Sequence, residues 1–280
     1  MAHRSPLIST AELAARLGDP SLRLIDASWH LDGRDGRVDF EAARLPGAVF
    51  FDLEAGSDRT SSLPHMLPTP ATFAAHAGAL GVSEGDDIVV YDTLGLVSAA
   101  RIWWMFRVMG AKRVRVLDGG LPKWRAENRP VDTGPAPTPA PAHFEARFDP
   151  AVVAAREDIA SGSARGDQIL DARSAGRFAG TAPEPRPGLR GGHMPGALSL
   201  PFVGILNSDS TMKRGAALAD AFAGAGVDPA RPIVTTCGSG VTAAILSLGL
   251  AELGYESRLY DGSWTEWGGR DDTEVVTGPI

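Results

Sequence analysis

Short, continuous apolar runs alternate with longer alanine- and leucine-rich stretches along most of the chain. Leu24-Ile25-Asp26, Ile88-Val89-Val90-Tyr91, Ile169-Leu170-Asp171 and Ile233-Val234-Thr235-Thr236 are short and rich in β-branched residues, which predicts strands. They lack the apolar–polar alternation of a half-exposed strand, so both faces should be covered. Ala99–Met109 and Thr242–Leu253 carry a helical pattern, the second stopping before Gly254. Strands alternating with helices predict an α/β fold, a mainly parallel sheet flanked by helices.

The pattern is written twice. Leu24-Ile25-Asp26-Ala27-Ser28 matches Ile169-Leu170-Asp171-Ala172-Arg173, and Leu45-Pro46-Gly47-Ala48 matches Met194-Pro195-Gly196-Ala197. Ile88 through Asp92 matches Ile233 through Cys237, and Ala99-Ala100 through Gly110 matches Ala243-Ala244 through Gly254. Finally, Leu117-Asp118-Gly119-Gly120 with Trp124 matches Tyr260-Asp261-Gly262-Ser263 with Trp267. The pairings keep one order, at offsets between 143 and 149 residues. So long a period implies two tandem domains of similar fold, since solenoid repeats are much shorter. Between the copies, the proline-rich stretch Pro130 to Pro141 favours extended polyproline II and cannot bury a core. The expected organisation is a first domain at 1–129, a linker at 130–143 and a second domain at 144–280.

Composition narrows the function classes. The chain has 280 residues, 44% hydrophobic and 22% charged, as in ordinary globular proteins. A formal net charge of −7 with no basic run argues against nucleic-acid binding, so an anionic substrate needs a locally positive pocket. No apolar run has signal-peptide or membrane-spanning length, and a single cysteine forms no internal disulfide. A cytoplasmic protein without membrane contact is the expectation. The histidines, at 3, 30, 65, 76, 143 and 193, are not paired at ligand spacing, so no metal is expected.

The cysteine, Cys237, opens the run Gly238-Ser239-Gly240-Val241-Thr242 between a predicted strand and a predicted helix. Backbone N–H groups and the positive end of the helix dipole meet at such a junction. They favour the thiolate, which is the nucleophile. In a parallel α/β sheet this is also where ligands bind, outside the carboxyl ends of the strands. In the first copy Asp92 occupies the cysteine position and cannot act as a sulfur nucleophile, so the second domain is expected to be catalytic and the first not. Gly238 to Ala243 also fits the dinucleotide pattern G-x-G-x-x-A, with Asp261 ending the next strand, and that alternative stays open. A phosphatase loop would need arginine where Ala243 stands. Ser239 and Thr242 can also be read as helix caps.

The duplicated layout and the loop Cys237-Gly238-Ser239-Gly240-Val241-Thr242-Ala243 resemble the two-domain rhodanese family. The resemblance covers nearly the whole chain, including Ser57-Asp58-Arg59-Thr60-Ser61 and Trp103-Trp104-Met105-Phe106-Arg107. Within that family the chain looks most like the 3-mercaptopyruvate sulfurtransferases. Thiosulfate-using relatives typically carry basic residues after the cysteine, where this chain has Gly238 and Ser239. The segment Gly176 to Arg186 is similar to the substrate segment of the mercaptopyruvate enzymes. By that likeness Arg177 and Arg186 hold the carboxylate and ketone of the donor, a task that suits guanidinium forks.

The resemblance implies two tandem rhodanese-like domains and a covalent persulfide on Cys237, with no other cofactor. Residues 238–242, that is Gly238, Ser239, Gly240, Val241 and Thr242, would cradle the transferred sulfur. It also implies that Ser239 helps move a proton, with His65 as a possible relay and Glu54 as the upstream acid. Asp171, Arg173 and His193 read as scaffolding. Because the chain has one cysteine, the sulfur must pass to an external acceptor: a thiol, cyanide or a thioredoxin-like dithiol. The competing expectations are a thiosulfate sulfurtransferase and a non-catalytic rhodanese-like binding module.

Overall fold

The β-branched runs form the centres of two five-stranded parallel sheets in a computed structural model that describes residues 4–278. In the first unit the elements are β1 (Leu7–Ile8), α1 (Thr10–Ala14), β2 (Leu22–Asp26), α2 (Gly36–Ala42), β3 (Val49–Phe50), α3 (Pro70–Ala79), β4 (Asp87–Tyr91), α4 (Ala99–Val108), β5 (Val114–Leu117) and α5 (Gly120–Ala126). In the second they are β6 (Val153–Ala154), α6 (Arg156–Arg165), β7 (Gln168–Asp171), α7 (Ala175–Ala179), β8 (Leu198–Ser199), α8 (Gly215–Gly224), β9 (Ile233–Thr236), α9 (Ala243–Glu252), β10 (Arg258–Tyr260) and α10 (Ser263–Trp267).

The sheet orders are β1-β5-β4-β2-β3 and β6-β10-β9-β7-β8, one topology used twice. Register repeats as well: Ile25 stands beside Val90, and Ile169 beside Val234. These central strands are buried on both faces, which is why their sequences do not alternate. The helices after them are nearly as dry. In α4 every residue except Arg107 is buried, and in α9 every residue from Ala243 to Leu250. A helix so enclosed needs small residues where neighbours press close, and a Cβ on Gly249 would lie 2.9 Å from Ile205 Cδ1.

The proline-rich segment is not a free linker. Its backbone N–H and C=O groups are not used up internally, because polyproline II has no internal hydrogen bonds, and here they pair with the first unit. Arg44 and Asp132 exchange backbone bonds at 3.0 and 2.9 Å, and Trp124 Nε1 donates to the Pro130 carbonyl at 2.7 Å. The Ala142 N–H donates to the Gly78 carbonyl at 2.8 Å, where a Cβ on Gly78 would stand 2.6 Å from the Ala142 oxygen. Phe144, expected to open the second domain, is instead buried edge-on to Phe73 and Phe106 at 5.4 and 5.8 Å. The compact units therefore divide between Asp149 and Pro150, and each takes a short segment from the other's stretch of sequence. Ser61–Met66 groups with the second unit and Asn207–Met212 with the first. In the first unit the Met212 N–H donates to Asp118 Oδ1 at 2.8 Å. Among the described residues no helix is long and apolar enough to cross a membrane.

Asp26 ends β2 with its carboxylate fully buried and one oxygen without a partner. Burial pushes its carboxyl up to about 6, against the pull of hydrogen bonds from Ser28 and Tyr91. A folded-state value above the unfolded one means stability present below the ordinary carboxylate range and lost as pH rises through about 6. Asp26→Asn should therefore stabilise the protein at pH 7.5, by on the order of 2–3 kcal/mol, and have little effect at pH 4. Denaturant unfolding at the two pH values measures the difference, and equal effects at both would contradict it.

Candidate active site

Cys237 follows β9 directly and is 2% exposed. The first turn of α10 fixes the loop it opens. Trp264 N–H donates to the Cys237 carbonyl at 2.9 Å, and Thr265 donates to the Gly238 carbonyl through its N–H at 2.8 Å and its Oγ1 at 2.6 Å. Ser263, whose φ of 49° places it in the left-handed region, accepts the Cys237 N–H at 3.3 Å and donates to the Tyr260 carbonyl at 2.8 Å. A trans peptide points its C=O and N–H in opposite directions. Tying the carbonyls of Cys237 and Gly238 to α10 thus turns the N–H groups of Gly238 and Ser239 away from it. Gly240 takes a left-handed φ of 77°, and the loop closes onto α9 with residues 238–241 buried.

The first unit contains the same turn with a different occupant. Asp92 follows β4, and its carbonyl accepts the Leu121 N–H at 3.0 Å as that of Cys237 accepts Trp264. The buried Asp92 carboxylate takes N–H bonds from Leu94 (2.9 Å), Gly95 (2.6 Å), Ser98 (2.8 Å) and Ala99 (2.8 Å), with Ser98 Oγ at 3.3 Å. Burial raises its pKa even though these bonds pull the other way. The loop is therefore a site for negative charge, filled here from within. The first unit thus has a hydrogen-bonded carboxylate where the second has the thiol.

The expected relay pair comes together within the second unit. His65 Nδ1 lies 3.0 Å from Ser239 Oγ, both side chains buried. His65 is held at φ 61°, a conformation that a non-glycine residue adopts only under local constraint. Ser239 therefore faces the histidine and is not a helix cap. Thr242 precedes α9 but makes no side-chain capping bond either. Glu54 belongs to the first unit, where it accepts Trp29 Nε1–H at 3.1 Å.

Arg177 stands in the last turn of α7 with its guanidinium against the cysteine loop: a Cβ built on Gly238 would meet Nη2 at 3.0 Å. Arg186 sits partly buried in the loop that follows. Sequence reading missed the residue between them. The Glu184 side chain is 2% exposed and accepts Arg177 through Nε (3.2 Å to both oxygens) and Nη2 (2.5 Å), and Arg173 Nη1 at 2.8 Å. Arg173 is fully buried, fixed by Asp171, by the Gly192 carbonyl at 2.8 Å and by the face of Trp264 at 4.2 Å. The sign alternation Arg177, Glu184, Arg186 was the available signal. His193 lies outside this set. It stacks on Phe178 at 3.8 Å and donates Nδ1–H to the Phe178 carbonyl at 2.9 Å.

The Rhodanese-like domain model matches residues 9–127 and 155–270, once in each unit. The chain is 46% identical over 266 residues to 3-mercaptopyruvate sulfurtransferase of Homo sapiens, covering 93% of this chain and 89% of that one. It is 41% identical to thiosulfate/3-mercaptopyruvate sulfurtransferase 1, mitochondrial, of Arabidopsis thaliana, covering 96% and 78%. Among solved structures, SseA from Escherichia coli, described as a 3-mercaptopyruvate sulfotransferase, superposes with a TM-score of 0.85 at 39% identity, covering 93% and 99%. These matches, together with the duplicated sheet, leave the dinucleotide pattern at 238–243 as a coincidence of glycine spacing.

Thr265→Val removes one of the two bonds to the Gly238 carbonyl and leaves the backbone bond. It should lower the unfolding free energy by about 1 kcal/mol, read as a shift in the denaturation midpoint. No shift would mean that Thr265 Oγ1 does not hold the loop.

Proposed function

The chain belongs to the rhodanese family, and from that membership and the loop geometry we propose that it is a sulfurtransferase taking sulfur from 3-mercaptopyruvate through a Cys237 persulfide. The observation that carries this reading is the thiol in the anion-holding turn, with a guanidinium beside an uncharged Gly238-Ser239 pair. The Cys237 thiolate attacks the sulfur of the donor. An S–S bond forms and the donor's C–S bond breaks, its electron pair passing to the methylene carbon as the enolate of pyruvate. The proton from the donor's S–H ends on that carbon, so charge and atoms balance. Ser239 and His65, in hydrogen-bond reach of one another, are placed to carry it.

Arg177 and Arg186 orient the donor's carboxylate and ketone, as planar forks suit planar anions. The persulfide's outer sulfur takes the place that the carboxylate of Asp92 has in the first unit, against the N–H groups of residues 238–242. Charge-assisted bonds of this kind contribute roughly 1.5–3 kcal/mol each, so a few suffice to hold the intermediate. An external thiol, cyanide or a thioredoxin-like dithiol then removes the sulfur, since no second cysteine exists to resolve the persulfide. The chemistry calls for no cofactor beyond the cysteine. It suits a reducing compartment such as the cytoplasm, where the thiol stays free.

Intact mass tests the intermediate. Incubation with 3-mercaptopyruvate should add one sulfur, about 32 Da, and Cys237→Ser should abolish both the gain and turnover with every acceptor. A gain chiefly from thiosulfate would keep the mechanism and change the donor. No gain from either donor would return the chain to a binding role.

Arg186→Gly separates the donors a second way. It should weaken use of mercaptopyruvate by about tenfold or more in kcat/KM, and use of thiosulfate by less. Equal losses for the two donors would reduce Arg186 to a structural residue.

A further inference from the structure

We propose that the first unit holds a second small-molecule site, a cavity between α2 and α5 that takes an α-amino acid with an apolar side chain. The cavity has a volume of about 420 Å³, within the range of small-molecule sites. Thr93, the residue after Asp92, lines it, so it lies at the carboxyl ends of the strands, where parallel α/β sheets bind ligands. One wall comes from Asp39, Ala42 and Ala43, whose spacings of three and four residues share a helix face. The other comes from Leu121 and Arg125 of α5, again four residues apart. The turn itself has little left for an anion, because Asp92 already takes the N–H groups of Leu94, Gly95, Ser98 and Ala99. Recognition therefore falls to the two walls.

Each wall carries one charge, and the two are opposite. His30 fixes Asp39: its Nε2 lies 2.6 Å from Asp39 Oδ2, and its Nδ1 lies 3.2 Å from Arg34 Nη2. A guanidinium only donates, so Nδ1 accepts and the ring proton sits on Nε2, donating to Asp39. The histidine, protonated on one nitrogen only, orients the carboxylate without cancelling its charge. Asp39 is 33% exposed, and among the described residues it has no other ion-pair partner. Arg125 is exposed and, among the described residues, makes no ion pair, with Asp39 or with any other carboxylate. A carboxylate and a guanidinium that share one cavity unbridged complement the ammonium and carboxylate of a zwitterion. A ligand with a single charge satisfies only one of them. Ala42, Ala43 and Leu121 supply the apolar surface for a side chain. The sign at Asp39 also departs from the second unit. α2 and α7 each bury one phenylalanine, Phe40 and Phe178, and the residue before it is Asp39 in one and Arg177 in the other. The first unit thus presents a carboxylate at the matching place, which attracts an ammonium group and repels a keto acid.

Equilibrium dialysis of the full chain against radiolabelled L-leucine tests the site without reference to sulfur transfer. The competitors are 3-methylbutylamine and 4-methylpentanoate, the same skeleton lacking the carboxylate or the amine. One leucine should be retained per chain, and each competitor should displace it at least about tenfold less well than unlabelled leucine, having lost one charge-assisted contact. Asp39→Asn and Arg125→Gln should each weaken leucine binding by a similar factor. Ala42→Phe keeps both charges, fills the cavity from an exposed position on α2, and should abolish retention. Arg125 and Ala42 are exposed, so the test stands even where Asp39→Asn does not fold. No retention at millimolar leucine, displacement by either competitor as effective as by leucine, or retention unmoved by the folded variants would overturn the proposal. So would loss of binding on Arg177→Ala, which would place the ligand in the second unit.

Discussion

The turn from central strand to following helix gathers backbone N–H groups around one side chain, and the character of each unit depends on what that side chain is. In the first unit it is Asp92, whose carboxylate takes four backbone N–H bonds and leaves the turn self-contained. Burial still pushes its carboxyl above the ordinary range, so the N–H groups do not fully offset the loss of water around the charge. In the second unit the same position holds a thiol. That thiol is buried, with its own backbone tied to Ser263 and Trp264. The occupant of the turn changes without any change in strand order.

What surrounds that turn serves to keep it rigid. The start of α10 ties the carbonyls of Cys237 and Gly238, which aims the adjoining N–H groups. The buried ladder from Asp171 to Arg177 does the same for the guanidinium. Burying the charges of Asp171, Arg173 and Glu184 is costly, and mutual attraction offsets it only where the geometry is good and hydrogen bonds are made. Asp171 and Glu184 accept from Arg173, Glu184 also accepts from Arg177, and a carbonyl and an indole face complete the surroundings of Arg173. The arrangement contributes orientation more than net stability.

The parts of this design that rest on local pattern were legible in the sequence. The central strands read as buried runs because parallel strands covered on both faces do not alternate. β9 and α9 fall within a residue of where the chain's own punctuation puts them. The place of Cys237 between strand and helix was legible for the same reason, since strand, glycines and helix are contiguous. The proline-rich segment was misjudged because composition reports how a stretch behaves alone. Its bonds to Arg44, Trp124 and Gly78 are long-range. Glu184 was hidden for a related reason. Its partners, seven and eleven residues back, meet it only once α7 and the loop after it fold against β7. The left-handed turn at His65, which brings its ring to Ser239, has no local glycine or asparagine to announce it.

Duplication alone would have produced two competing sites, and the divergence of the first copy has a physical logic. A loop built to hold negative charge is a hazard when its occupant is lost, because several buried N–H groups then have no acceptor. Replacing the nucleophile by alanine would leave that deficit. Replacing it by aspartate fills the cradle with a group of fixed charge that no donor can displace, at the cost of a raised pKa that the four N–H bonds limit. The first unit's turn is then satisfied from within, and the second unit's turn holds a buried thiol at the same place. Gly238 sits beside that thiol where room is short, since a Cβ there would stand 3.0 Å from Arg177 Nη2.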